Sequence, residues 1–86
     1  MYNSDYFNTL IDHDRALGYA WYMYNTVSDP NEHFNDIIAD GYFNQVNIDN
    51  PGTLLVNDVI TVCALDGYGN FIVSAVSPDV VLVVRQ

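Results

Sequence analysis

Val59-Ile60-Thr61-Val62-Cys63-Ala64-Leu65, Asp66-Gly67-Tyr68-Gly69-Asn70, Phe71-Ile72-Val73-Ser74-Ala75-Val76-Ser77 and, after Pro78-Asp79, Val80-Val81-Leu82-Val83-Val84 decide the fold. The first run is rich in β-branched residues and its side chains alternate, with Ile60, Val62 and Ala64 on one face and Val59, Thr61, Cys63 and Leu65 on the other. Asp66 to Asn70 is a hairpin signal, with Gly67 and Gly69 placed to take positive φ. Pro78-Asp79 makes a second corner. The unbroken apolar character of Val80 to Val84 predicts a strand buried on both faces. These runs together predict a three-strand meander.

Upstream, Leu54-Leu55-Val56 leads into an Asn57-Asp58 turn, and Gln45 to Thr53, with Asn47, Asp49, Asn50, Pro51 and Gly52, reads as an exposed loop. Asp29 is placed as an N-cap, Pro30 fits a first helical position and Glu32 completes a capping box. Phe34, Ile37 and Ile38 follow as one apolar stripe, and Gly41 is placed to stop the helix. Gly18 to Val27, with Tyr19, Trp21, Tyr22, Met23 and Tyr24, reads as the first strand. Residues 1–17 show no sustained period and read as an extended N-terminal arm. The expected fold is mainly β: a small barrel-like or sandwich-like domain over 18–86 with one short α-helix and the arm.

With 86 residues there is room for one core, and a core of that size gains from further burial at an interface. Ten Asp and one Glu face only Arg15 and Arg85, giving a formal net charge of −9 with no Lys. Nucleic-acid binding needs clustered cations and is not expected. An anionic membrane surface is disfavoured for the same reason, and no apolar run is long enough to span a bilayer. Cys63 is the single cysteine, so an intrachain disulfide is excluded. The start, Met1-Tyr2-Asn3-Ser4-Asp5-Tyr6, lacks the pattern of a signal peptide, and no export is expected.

The residues that could carry chemistry do not assemble into a pattern. Asp12-His13-Asp14 is followed by Arg15 and Ala16, not by further oxygen donors, and reads as a polar turn. His13, His33 and Cys63 are widely spaced singletons, and Cys63 reads as a buried thiol. Ser74 and Ser77 lie in or beside a strand without a Gly-rich elbow, and no phosphate-cradling loop exists. The expectation is a protein that is not an enzyme and uses no metal or cofactor. Seven tyrosines and Trp21 exceed what one small core hides, so part of the aromatic set is expected at a contact surface.

The order of these features resembles a family of small tailed-bacteriophage virion proteins. The resemblance rests on Tyr22-Met23-Tyr24-Asn25-Thr26 before an Asp/Pro-started helix, Gly41-Tyr42-Phe43-Asn44, Leu54-Leu55-Val56-Asn57-Asp58-Val59-Ile60-Thr61-Val62, Asp66-Gly67 and the Val-rich finish. It covers most of the chain and leaves residues 1–17 outside. Glycine is commoner in the family where Asn57 stands, and Asn is the next-best residue for positive φ. The resemblance implies a capsid decoration or cement protein on the outer head, or the base of a head fibre. Its implied partner is the major capsid protein, and its implied state a homo-oligomer, with a trimer favoured. It implies assembly in the host cytoplasm and residence in the virion. On that reading Tyr2, Tyr6, Phe7 and Leu10 of the arm, Tyr19, Trp21, Tyr22 and Tyr24 of the first strand, and Val81 and Val83 of the last strand are the interface candidates. The alternatives are a tail adaptor or receptor-binding fibre component, and an acidic inhibitor of a host protein.

Overall fold

The structure is a computed structural model that describes residues 1–14 and 18–86, without the side chains of His13 and Asp14. Five strands are formed: β1 Phe7–Asp14, β2 Tyr19–Asn25, β3 Val59–Ala64, β4 Gly67–Ser77 and β5 Val80–Arg85. A 3-10 turn at Ser4–Tyr6 precedes them, and two short helices, α1 Phe34–Ile37 and α2 Asn44–Asp49, lie between β2 and β3. The domain is mainly β, as expected, and its strands make one sheet in the order β1-β2-β3-β4-β5. All neighbours are antiparallel except β2 and β3. A parallel pair requires the chain to cross back along the sheet, and residues 26–58 make that crossing while carrying both helices. The meander of β3, β4 and β5 is present as read.

The core lies between the sheet and this crossing segment. Ala20, Tyr22 and Tyr24 of β2, Ile60, Val62 and Ala64 of β3, Phe71 and Val73 of β4 and Val81 of β5 pack with Phe34, Ile37, Phe43, Val46 and Leu54.

The residues expected to form a free arm are in large part an edge strand. Phe7 to Asp14 pairs with β2, and the register shifts between Thr9 and Ile11 and again between Ile11 and Asp14. Each shift exchanges which side chains face the core, which is why no period of two is visible there. Residues 15–17 of that segment lie outside the described residues.

The helix expected from Asp29 to Gly41 is only α1. Asp29 Oδ1 accepts the Asn31 N–H at 3.0 Å, a local turn that competes with helix formation. Pro30 and Glu32 belong to this turn region, and His33 is the actual N-cap, with no side-chain cap bond. Gly41 takes φ +89° but closes a turn leading into α2, not a ten-residue helix. The segment read as an exposed loop contains α2, whose Val46 and Asn47 are buried. Asn47 explains why a turn-forming residue sits in a helix there: its side chain donates to the Leu54 carbonyl at 2.9 Å and accepts the Leu54 N–H at 2.8 Å. It satisfies the backbone of the segment that follows.

The β3–β4 hairpin turn is tighter than expected. Ala64 pairs with Gly67, so only Leu65 and Asp66 form the turn, and Gly67 and Gly69 lie in β4 without positive φ. Gly67 is a glycine for want of room, and Gly69 lies close under the Arg85 side chain. A Cβ on Gly67 would stand 2.9 Å from Phe34 Cγ, and one on Gly69 would stand 3.0 Å from Arg85 Nη2. The Arg85 guanidinium lies 5.7 Å from both the Phe34 and Phe71 ring centres, covering the open end of the core. β5 is not buried on both faces. It is the second edge of the sheet, with Val81 buried and Val84 52% exposed. Its apolar run reflects two apolar faces, only one of them covered.

Candidate functional site

The strand alternation leaves a second face, opposite the helices. From β2 it carries Tyr19, Trp21 and Met23, and from β3 Val59, Thr61 and Cys63, all half-buried between buried neighbours. Residues directly opposite in neighbouring strands share a face. The register runs Ile11↔Trp21, Trp21↔Val59, Val59↔Ile72 and Ile72↔Val84, so one apolar row crosses all five strands. A second row, Asn8, Met23, Thr61 and Asn70, lies beside it. The two rows are tied together: the Trp21 Nε1–H donates to Thr61 Oγ1 at 2.8 Å, and the Thr61 hydroxyl donates to Asn70 Oδ1 at 2.7 Å. The indole is thereby held in place with its one polar group satisfied. A shallow depression of about 230 Å³ opens on this face between Tyr19, Trp21, Val59, Asn70 and Gln86.

None of the described side chains of these two rows or of this depression is charged, in a chain of net charge −9. Asp36 and Asp49 are on the helices, Asp29 and Asp40 in the crossing segment, Asp66 and Asp79 in the hairpin turns, and Glu32 and Asp58 are buried. Asp12 is exposed on β1, and Asp14, also on β1, stands opposite Tyr19 in the register, beside the two rows.

The other aromatic concentration is a closed network at the N-terminal end of the core. Tyr2 stacks on Tyr24 with ring centres 5.5 Å apart, Phe7 stacks on Tyr22 at 4.9 Å, and Tyr6, Tyr42 and Phe43 meet Tyr24 edge-on. The Tyr24 hydroxyl accepts the Asn3 N–H at 2.8 Å and shares a 2.8 Å bond with the Tyr42 hydroxyl. Tyr42 in turn donates to Glu32 Oε2 at 3.3 Å, and the Met1 ammonium lies 3.0 Å from Glu32 Oε1. Burial, helped by the bond to Tyr24, holds the Tyr42 phenol far above its ordinary value. Burial pushes Tyr2 and Tyr22 up to about 12. These phenols stay protonated at neutral pH: Tyr42 donates to Glu32 and Tyr22 to the Thr53 carbonyl, while Tyr24 holds the N-terminal segment as the acceptor of the Asn3 N–H. None is available as a general base.

The interface candidates therefore divide. Tyr22, Tyr24 and Val81 are buried, and Tyr2, Tyr6, Phe7 and Val83 pack against the core. Trp21 and Tyr19 lie on the uncovered face, and Leu10 is 47% exposed on the edge strand β1. The structure adds Ile11, Met23, Val59, Ile72 and Val84 to that face. The outward half of the β3 alternation was visible in the sequence, but not which half the helices cover.

Two further features are structural. Asn44 Oδ1 accepts the Val81 N–H at 2.7 Å, which occupies an edge donor of β5 and limits pairing by another strand. Asp66 Oδ1 accepts the Phe34 N–H at 2.8 Å, and Asp66 Oδ2 lies 3.4 Å from His33 Nδ1. That amide bond, with His33 adding to it, draws the Asp66 carboxyl below its usual range. The pair anchors the start of α1 to the β3–β4 turn. Among the described residues no three His, Cys, Asp or Glu side chains converge as metal ligands, and no helix is long and apolar enough to cross a membrane. No family model, no curated protein and no solved structure matches the chain.

Proposed function

We propose that this chain is a bacteriophage virion structural protein, a decoration or cement protein of the outer head, and that it works without catalysis by laying the apolar row of its open sheet face against protein. The observation that carries the docking part is the row Ile11, Trp21, Val59, Ile72 and Val84, which crosses five strands and which no described element covers. An apolar patch of that extent, with its Trp held rigid, has the composition of an interface core. The virion part rests on the resemblance carried by Gly41-Tyr42-Phe43-Asn44 and the segment from Leu54 to Val62, with the major capsid protein as the implied partner. Asn57, where the family has glycine more often, takes φ 79°, a conformation that glycine and asparagine tolerate best.

A tail receptor-binding component is the second reading. In its favour, Tyr19 and Trp21 share a depression with the amides of Asn70 and Gln86, a mixture suited to stacking on and hydrogen-bonding a sugar. The inhibitor reading loses ground, because an acidic bait would place its carboxylates in the contact.

Quantitative mass spectrometry of purified particles tests the proposal. The expected result is a copy number comparable with that of the major capsid protein. A few copies per particle would move the chain to the tail, and absence from particles would refute a virion role.

A further inference from the structure

We infer that the uncovered sheet face is covered by the same face of a second copy of this chain, giving a two-fold symmetric, face-to-face dimer. This rests on the reading that the face is the working surface, and it names the occupant.

Charge makes the first argument. Two chains of net charge −9 repel each other wherever their carboxylates approach, and like charges brought together in a contact are costly. The described side chains of the two rows offer a place where two copies meet without that cost. A basic partner would be matched by carboxylates within the contact, and these rows present none. The surface that suits them is equally apolar and equally uncharged, and this chain carries one.

Polar satisfaction makes the second. An interface that closes over a sheet must not strand buried donors. The largest polar risk on this face, the Trp21 indole N–H, is already bonded to Thr61, and the Thr61 hydroxyl to Asn70. Both bonds lie within one chain, so the centre of the face can be covered without stranding the indole N–H.

Area and symmetry make the third. Five strands about 4.8 Å apart, each about six residues long at ~3.3 Å per residue, give a flat footprint of roughly 480 Å². Side-chain relief carries this toward the ~600 Å² per partner of the weaker specific complexes. The apolar row is centred on Val59, in the middle strand of five. A two-fold axis in the plane of the face, set along β3 or along the row through Val59, lays row upon row. One face used once on each copy gives a closed dimer, whereas a ring of three needs two different surfaces per copy. Aligned sheet packing of this kind is a stable way to bury two such faces.

Sedimentation equilibrium of the full chain over a wide concentration range, at low and high salt, tests this. The expected result is a monomer–dimer equilibrium that tightens several-fold as salt rises, because screening relieves the repulsion between two acidic copies. Docking on a basic surface would have the opposite salt dependence. Val84→Glu and Ile72→Glu each place a carboxylate in the interface twice and are expected to weaken the dimer by at least about tenfold. Leu65→Glu, at the hairpin tip where the side chain is already 64% exposed, should leave it unchanged. Val84 is exposed enough that its variant stays folded even if Ile72→Glu does not, and a urea melt confirms this. A trimer, a dimer insensitive to Val84→Glu, or one that loosens with salt would overturn the inference. A chain that is monomeric throughout, yet is lost from particles on Val84→Glu, would refute the dimer and leave the docking face standing. A monomer whose Val84→Glu variant binds particles like the parent would refute both.

Discussion

Asp58→Ala is expected to destabilise the fold by about 3–5 kcal/mol, the amount set by stranding two buried amide donors and opening a small void. Asp58 is 1% exposed, with Oδ1 accepting the Ala20 N–H at 2.9 Å and Oδ2 accepting the Leu55 N–H at 2.9 Å. Its backbone carbonyl accepts the Val73 N–H at 2.9 Å. One residue thus ties the beginning of β2, the turn before β3, and β4. Asp58→Asn preserves the shape but must aim an NH₂ group at one of the two amides, and about half of the loss is expected. Small domains are stable by only ~5–15 kcal/mol, so the Ala variant sits near the limit of folding. Urea unfolding followed by Trp21 fluorescence measures the difference. A cost below about 1 kcal/mol would mean that the carboxylate is not an anchor.

Tyr24 is the second position where a large effect is expected. Tyr24→Ala removes a fully buried ring that Tyr2 stacks on and that Tyr6, Tyr42 and Phe43 meet edge-on, at about 3–5 kcal/mol. Tyr24→Phe keeps the ring and removes the acceptor of the Asn3 N–H and the partner of Tyr42, at about 1–2 kcal/mol. The Phe variant has a local signature as well: amide exchange in residues 1–6 should quicken more than in β3. Equal costs for the two variants would mean that the hydroxyl, and not ring packing, holds the N-terminal segment to the sheet.

The sequence was most legible where alternation, turn chemistry and strand propensity agreed, as in the meander and the aromatic strand β2. Asn57 was read as a residue tolerant of positive φ, and it takes φ 79°. Legibility failed where one rule hid another. Two register shifts erased the period of β1. In α2, Asn47 looked like a loop residue because its service to Leu54 is a contact formed only in three dimensions. Gly67 and Gly69 look like turn glycines, but both lie in β4, and Gly67 answers to Phe34 packed over the sheet. Asp58 was read as half of a turn, and nothing local marks its carboxylate as a buried anchor.

The uncovered face was hidden for a different reason. In β3 the inward set, Ile60, Val62 and Ala64, and the outward set, Val59, Thr61 and Cys63, both carry apolar side chains, so alternation gives two faces without saying which one the helices take. Only the crossing from β2 to β3 decides. Once it does, a run that looked like a strand buried on both sides becomes an edge strand with a second face left open. The same segregation explains the composition. The acidic residues lie in turns, in the helices, at core anchors and on β1, and the described apolar row carries none of them.

Hydroxyl-radical footprinting of Trp21 and Met23 tests most directly whether this face is the working surface. These are readily oxidised side chains at adjacent positions on the outward side of β2, and Met1, 97% exposed, serves as the internal reference. In the assembled state, on particles or in the concentrated dimer, oxidation of Trp21 and Met23 is predicted to slow several-fold relative to the dilute chain, with Met1 unchanged. Equal oxidation of Trp21 and Met23 in both states, with protection falling instead on the helical side around Ile48, would contradict the account.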